Sequence, residues 1–215
     1  MVPLERATVF EDGNNWYHAL RRAGLTGLGW LNYAKVSRKL IGAREWTATR
    51  YYVGQVQQTP ENARLYADQR QYMSWLKSRD RRISIHYGRL ETHHAENDFA
   101  KEIKRYLGDL KVRIDPAVYK HLISEANRHQ TSRVVVEKAV DVALAVDLVR
   151  MADRNEYDVA YLLAADGDYT PAVEAVMATS KKVFAAALEP GAMLAAVVYK
   201  FIPLKHDWLT DCFGD

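Results

Sequence analysis

The run VAYLLAAD, residues 159–166, restricts the fold of this chain more than any other stretch of its sequence. Every position before Asp166 is apolar. Successive side chains of a strand point to opposite faces of a sheet, so this strand must be covered on both faces. Such coverage is typical of parallel strands that lie between two layers of helices. The run therefore predicts an internal strand of an α/β fold.

Strand and helix patterns alternate along much of the chain. Short runs rich in β-branched and aromatic residues predict further strands at 7–11, 49–55, 83–88 and 182–189. Apolar residues at helical spacing predict helices at 31–42, about 59–76, 137–152 and about 171–177. This alternation predicts an open, mainly parallel sheet flanked by helices.

Residues 96–133 interrupt the alternation. Phe99, Ile103 and Leu107 lie on one helical stripe, and Asp115 with Pro116 forms a helix start. We interpret the segment as an inserted helical hairpin. Its polar faces carry basic residues, and these are either a solvated surface or a basic arm that faces a substrate.

Composition limits the class of protein. The 215 residues are 48% hydrophobic, enough for one domain covering residues 1–215 with its own core. The one cysteine, Cys212, excludes an internal disulfide and a thiolate zinc site. Neither a signal peptide nor an apolar run of ~20 residues is present, so we expect a soluble, cytoplasmic protein without a membrane partner. A net charge of +3 permits nucleic acid binding.

Four aspartates occupy positions that suit a common site. Asp12 ends the first predicted strand, while Asp166 and Asp168 follow the apolar run. The carboxyl ends of parallel strands meet at one edge of a sheet, so we expect these side chains in one cleft. Asp141 shares a helical stripe with Leu144 and with Leu148, which predicts that it faces the sheet.

Carboxylates that lie together repel one another unless a cation holds them ionised. Carboxylate ligands suit Mg²⁺ or Mn²⁺, either of which can activate water for phosphodiester hydrolysis. Each acid also has a structural interpretation. Asp12 could start a turn, Asp166 with Asp168 could cap a helix, and Asp141 could pair with Lys138 or Arg150. Asp147 is turned ~120° away and is interpreted as structural.

Five segments together resemble a known family: VFEDGNNWY, YYVGQVQQTPENARLYADQRQYMSWL, ISIHYGRL, EKAVDVALAVDLVRMA and YDVAYLLAADGDYTPAVEAV. They are similar to the NYN domain, in particular its LabA-like (DUF88) branch, within the PIN-like nuclease superfamily. The resemblance covers the chain outside 96–133. It implies a three-layer α/β/α PIN-like fold and metal-dependent ribonuclease chemistry.

The resemblance also implies roles for single residues. Asp12, Asp141, Asp166 and Asp168 correspond to the metal-binding and catalytic acids of the family, and Asn15 to the catalytic amide of its D-G-N-N motif. The chain departs from the family at Glu11, where an aliphatic residue is usual. It departs again at Ala164 and Ala165, where a Ser-Gly pair is common, and so lacks a hydroxyl that could support the metal site.

Several side chains are predicted to contact nucleic acid. The amides of Asn14 and Asn15 can donate to phosphate. Basic residues predicted to bind the RNA backbone are Lys138, Arg89, Lys104 and Arg105. Around the third strand, Tyr87 lies among arginines, a mixture that can bind a single-stranded backbone and stack bases, although a solvated helix end explains part of it.

We therefore expect a ribonuclease that uses Mg²⁺ or Mn²⁺ to hydrolyse RNA, and single-stranded RNA above all. Two other functions stay open: a non-catalytic RNA-binding or scaffolding module, and a phosphohydrolase of small molecules. The sequence also leaves homo-oligomerisation open.

Overall fold

Six parallel strands form the centre of the structure, a computed structural model that describes residues 3–96, 98–111, 113–128 and 131–214. The side chains of residues 89–96 and 131–138 lie outside this description. The strands of the described residues, of which all but β4 belong to this parallel set, are β1 (Arg6–Asp12), β2 (Glu45–Gln55), β3 (Ile83–Glu96), β4 (Thr131–Lys138), β5 (Val159–Leu163), β6 (Lys182–Ala187) and β7 (Lys200–Pro203). The parallel ones follow the order β3-β2-β1-β5-β6-β7, which places β1 near the middle.

Helices cover both faces of this sheet. They are α1 (Gly13–Arg22), α2 (Tyr33–Ile41), α3 (Ala63–Arg79), α4 (Asp98–Leu110), α5 (Pro116–Arg128), α6 (Val140–Asp153), α7 (Thr170–Met177), α8 (Ala192–Val197) and α9 (His206–Thr210). Buried residues of α1, α2, α3 and α9 share one apolar core with the sheet. Those of α6, α7 and α8 share a second core on the opposite face. The predicted three-layer α/β/α fold is confirmed.

Alternation along β1 explains how one strand serves two cores. Val9 packs in the core of α1 and α2, whereas its neighbour Phe10 packs in the core of α6 and α7. All five residues of β5 are buried, as the continuous apolar run predicts. The last residues of β1 therefore face different layers, which separates the surroundings of Glu11 from those of Asp12.

The chain divides into two units. The first comprises Met1–Arg89 and Lys138–Asp215, and the second comprises Leu90–Glu137. In the second unit, α4 packs on α5, with Leu107 and Ala126 buried, and β4 lies next to β3.

The sequence pattern does not predict β4, and it predicts the following helix from residue 137, whereas α6 begins at Val140. Ala139 accounts for the boundary, because its φ of 70° belongs to the left-handed region and ends the strand before the helix starts. Among the described helices, none has both the length and the apolar character of a membrane span.

Candidate active site

The direction of the connections reverses between β1 and β5. After β1 the chain continues through α1 and α2 to β2 on one face of the sheet, and after β5 it continues through α7 to β6 on the other. In parallel sheets such a reversal opens a crevice outside the carboxyl ends of the two strands. Asp12 is the last residue of β1, and Asp166 follows β5 closely. Both acids thus lie at the mouth of the crevice.

Asp12 uses its two carboxylate oxygens differently. The residue is the N-cap of α1, and Oδ1 accepts a hydrogen bond of 2.9 Å from the backbone N–H of Asn15. Capping satisfies an amide that has no partner within the helix. Oδ2 instead accepts a hydrogen bond of 3.0 Å from the hydroxyl of Tyr169. The turn-starting interpretation of Asp12 therefore holds, but it involves only one of the two oxygens.

The Tyr169 hydroxyl joins Asp12 to Asp141. Tyr169 is fully buried in the 3₁₀ turn Gly167–Tyr169, and the distance from its hydroxyl to Asp141 Oδ1 is 3.1 Å. A hydroxyl has one proton, so it donates to one of the two carboxylates at a time. The structure thus holds acids from β1 and α6 within two hydrogen-bond lengths of one another.

Sequence reasoning assigned no role to Tyr169. The signal in the sequence was its place directly after Asp166 and Asp168, because a tyrosine at that point can be buried while its hydroxyl reaches a carboxylate.

Asp141 differs from its expected environment. We expected it on the packed stripe of its helix, and Leu144 and Leu148 of that stripe are indeed buried. Asp141 itself is exposed, because it is the second residue of α6 and the first turn of this helix lies at the open crevice. Solvent, together with the contact to Tyr169, therefore compensates this carboxylate. Its predicted alternative partner Arg150 pairs with Asp147 instead, at 3.0 Å.

Asp12 carries the electrostatic signature of a carboxylate cluster. Burial raises the pKa of Asp12, and the charges of Asp141 and Asp166 raise it further. The hydrogen bonds from Asn15 and Tyr169 offset part of this increase. Within the described residues, the main influences on Asp12 are thus burial, two donors and two acids, and not lysine or arginine. A cation near Asp12 would favour its ionised form.

The other two acids belong to the loop that follows β5. Asp166 caps the 3₁₀ turn, with its Oδ1 accepting a 2.9 Å hydrogen bond from the backbone N–H of Asp168. The interpretation that these acids cap the following helix is wrong, because the N-cap of α7 is Tyr169, which makes no side-chain capping hydrogen bond. Asp168 is exposed. Close packing fixes this loop, because a Cβ on Gly191 would lie 2.8 Å from the carbonyl oxygen of Ala165.

The donor set decides which ion would fit. Among the residues that the structure describes, no group of three or more histidine, cysteine, aspartate or glutamate side chains has the spacing of a metal site. The Asp12–Asp141 pair still suits Mg²⁺, which is commonly held by one or two carboxylates and several waters. Oxygen ligands without sulfur or imidazole do not favour zinc.

The remaining predicted residues are placed as follows. Asn14 is exposed in the first turn of α1, and Asn15 is half-buried there with its backbone amide on Asp12. Lys104 and Arg105 lie on α4 in the second unit. The side chains of Arg89 and Lys138 lie outside the described part of the chain. Binding of RNA by any of them stays a prediction.

Glu11 occupies the other face of β1 and is fully buried. Among the described residues, neither of its carboxylate oxygens has a hydrogen-bond partner. Burial raises the pKa of Glu11 well above its usual value, against an opposing effect of the neighbouring Tyr33. Burial therefore disfavours the ionised form of Glu11.

A polar network attaches α6 to the sheet. Asp147 Oδ2 accepts hydrogen bonds of 2.6 Å from Arg50 and 2.9 Å from the Tyr52 hydroxyl, both on β2. Tyr52 also stacks on His86 of β3, with ring centroids 4.8 Å apart. Asp147 is therefore a structural acid, as its position on the helix predicts. The network fixes the helix whose first turn carries Asp141.

Comparison with known families gives the decisive observation: the NYN domain model matches residues 6–205. The chain belongs to the NYN domain family. NYN domains are part of the PIN-like nuclease superfamily, which indicates a nuclease with RNA as its substrate.

Structural comparison finds a solved structure with a similar fold. The chain is similar to the crystal structure of a protein of unknown function, VPA0982 from Vibrio parahaemolyticus RIMD 2210633, with a TM-score of 0.58 and 15% sequence identity. The similarity covers 97% of this chain and 98% of the other. No curated protein matches this NYN domain significantly.

Proposed function

We propose that this NYN domain is a ribonuclease of the LabA-like (DUF88) branch that hydrolyses phosphodiester bonds of single-stranded RNA with Mg²⁺ or Mn²⁺. One observation carries the proposal: acids from β1 and α6 share the hydroxyl of Tyr169 at the crevice where the connections of the sheet reverse. A cytoplasmic location and homo-oligomerisation remain predictions.

Each residue of the site has a role in this proposal. Asp12, Asp141 and Asp166 hold the ion, and Asp168, exposed on the same loop, assists a second ion or positions water. Tyr169 keeps the first two carboxylates in place, because burial and their negative charges raise its pKa well above the usual value and it retains its proton. Asn15, with Asn14 beside it, donates to the RNA phosphate.

A bound divalent ion would activate water and offset the negative charge that develops on the phosphate. The protein contributes the placement of the acids. Asp12 is held at both oxygens, whereas Asp141 is open to solvent on one side. The crevice can therefore accept a substrate phosphate from the side of α6.

Cleavage of a labelled single-stranded RNA by purified protein tests the proposal. Mn²⁺ or Mg²⁺ should support product formation, whereas EDTA, Asp12→Asn and Asp141→Asn should each abolish most of it. Asp153→Asn is the matched control, because Asp153 is exposed at the far end of α6. Cleavage that persists in EDTA and in Asp12→Asn contradicts the mechanism. RNA binding without product in any metal would instead favour the non-catalytic module.

A further inference from the structure

A pocket lies at the carboxyl ends of β2 and β3, on the face of the sheet that α3 covers. It measures about 300 Å³ and is lined by Gln55, Tyr66, Gln69, Arg70 and Tyr87. Tyr66, Gln69 and Arg70 lie on one face of α3, since residues three and four apart are neighbours on a helix. Gln55 and Tyr87 come from the two strand ends.

Gln69 fixes α3 to the end of β2. Its Oε1 accepts a 3.0 Å hydrogen bond from the backbone N–H of Val56, and its Nε2 donates one of 2.8 Å to the carbonyl of Gly54. Met73 and Leu76, on the following turns of α3, are buried in the core. The part of α3 that lines the pocket is therefore held on the sheet by the hydrogen bonds of Gln69 and by the burial of Met73 and Leu76.

The exposed groups of the pocket are aromatic and cationic. Tyr87 is 47% exposed although it stands on a strand of the central sheet. The Arg70 guanidinium donates a 3.2 Å hydrogen bond to the Tyr66 hydroxyl and lies 5.7 Å from the centre of its ring. Core packing does not explain an exposed tyrosine beside a solvent-facing arginine.

These groups match the chemistry of a single-stranded nucleotide. Aromatic rings stack on any base, and an arginine beside them attracts the phosphate and adds cation–π contact. The volume lies at the lower end of the range for ligand pockets, which suits one base better than a larger cofactor. The exposed side chain of Gln55 provides an amide group at the rim.

The position relative to the acidic crevice supports the same ligand. β3 and β1 are separated by β2 alone, so the strand ends that carry Tyr87 and Asp12 lie about two strand spacings, ~10 Å, apart across the sheet. The pocket lies on the face of α3, whereas the Asp12 side chain lies on the face of α6. Both features are at the carboxyl edge of the sheet. An RNA strand with a phosphate at Asp12 can therefore reach the pocket by crossing this edge from one face of the sheet to the other.

We infer that the pocket of Tyr66, Arg70 and Tyr87 is a base-binding subsite that holds one nucleotide of single-stranded RNA beside the cleavage site. This inference rests on the proposed ribonuclease function, and it assigns a substrate contact to residues outside the acidic site. Tyr87 stacks on the base, and Arg70 binds the adjacent phosphate.

Binding of a fluorescently labelled single-stranded oligoribonucleotide, measured by anisotropy in EDTA, separates recognition from cleavage. Tyr87→Ala should weaken binding by about 5- to 150-fold, the loss typical of one stacked base, whereas Tyr87→Phe should bind like wild type. Arg70→Ala should weaken binding. It should also reduce the slope of log affinity against log salt concentration by about 1, which is the contribution of one phosphate contact. Tyr199→Ala is the control, because Tyr199 is 57% exposed and lies just before β7.

An abasic scan of the same RNA completes the test. At one position, loss of the base should weaken wild-type binding as much as Tyr87→Ala does, and the two changes together should cost no more than either alone. Wild-type cleavage combined with unchanged affinity of Tyr87→Ala would overturn the subsite and leave the ribonuclease standing. Wild-type protein that neither binds nor cleaves the RNA would overturn both.

Discussion

At the scale of single residues, the hydroxyl of Tyr169 influences the pKa of Asp12. It is a donor to Asp12 and to Asp141, and its hydrogen bond lowers the pKa of Asp12 against the larger effect of burial. Removal of this donor therefore moves the pKa of Asp12 further upward. The ionised form that binds a cation then appears only at higher pH.

Tyr169→Phe should shift the acidic limb of the pH–rate profile to higher pH and reduce activity or metal affinity by about 10- to 100-fold. The buried ring remains, so the free energy of unfolding should fall by about 0.5–1.5 kcal/mol. RNA cleavage across a pH series and urea unfolding measure the two effects.

Tyr157→Phe is the matched control, since Tyr157 is also fully buried and donates its hydroxyl to the Leu148 carbonyl at 2.6 Å. It should lose similar stability and keep the wild-type pH profile. An unshifted acidic limb in Tyr169→Phe would show that this hydroxyl does not tune Asp12.

Glu11 couples the stability of the fold to pH. Because its folded pKa is raised, the folded state keeps a proton that the unfolded state loses above the ordinary carboxyl range. Stability therefore falls as pH rises from that range towards the folded pKa, and levels off beyond it. In this window the loss is about 1.4 kcal/mol per pH unit.

Glu11→Gln should remove this part of the pH dependence, because the amide does not ionise. Urea unfolding at several pH values above 5 should give a wild-type curve that falls relative to the variant. Glu189→Gln is the control. The pKa of Glu189 is lowered by its hydrogen bond with Arg22, so its replacement should leave the fall of stability with rising pH in place. Parallel curves for wild type and Glu11→Gln would refute a raised pKa of Glu11.

At the scale of secondary-structure elements, the network around Asp147 holds α6 on the sheet. Burial alone would raise the pKa of Asp147, but the hydrogen bonds from Arg50 and Tyr52 outweigh it and the net pKa is lowered. A lowered folded pKa means that the stabilisation is present above the unfolded pKa and is lost as pH falls through the folded value.

Asp147→Asn should therefore reduce the free energy of unfolding by about 1.5–3 kcal/mol, since Arg50 loses a charged partner in a largely buried site. Arg150→Ala removes the other, more exposed partner of Asp147 and should cost about 0–1 kcal/mol. Chemical denaturation at neutral pH compares the two variants. Equal losses would mean that the contact with Arg50 does not anchor the helix.

Elements with a strong repeating pattern could be predicted from sequence. The apolar run of β5 and the stripe of α6 required coverage that only a layered fold provides, and the structure has these layers. β4 was missed because its pattern borders directly on that of α6. The boundary depends on the left-handed backbone of Ala139, which a sequence marks poorly when the residue is not glycine.

The candidate site was predictable in its acids and less so in its contacts. Strand ends placed Asp12 and Asp166 at one edge, because parallel topology alone brings those ends together. The Tyr169 bridge and the exposure of Asp141 depend on where a helix and a 3₁₀ turn begin, to within one residue. Local patterns do not define boundaries that finely.

At the scale of the whole molecule, a bound cation should stabilise the fold by relieving the interaction among the acids. A ligand that binds only the folded state at 100 times its dissociation constant adds about 2.7 kcal/mol. For a chain of this length this corresponds to an increase in Tm of about 5–10 °C.

Thermal unfolding with and without Mn²⁺ should show this increase in wild type and in Asp153→Asn, and little of it in Asp12→Asn or Asp141→Asn. The measurement is independent of RNA and of turnover. An equal increase in all four proteins would place the ion elsewhere on the surface.

The Tyr169 bridge also has a consequence for biosynthesis. It connects residues 157 positions apart, so the crevice is complete only after translation has passed Tyr169. A ribosome-bound intermediate that stops short of β5 contains Asp12 but lacks the tyrosine and the loop acids. Such an intermediate cannot assemble the crevice, so the acidic site forms only after the loop that follows β5 has been synthesised.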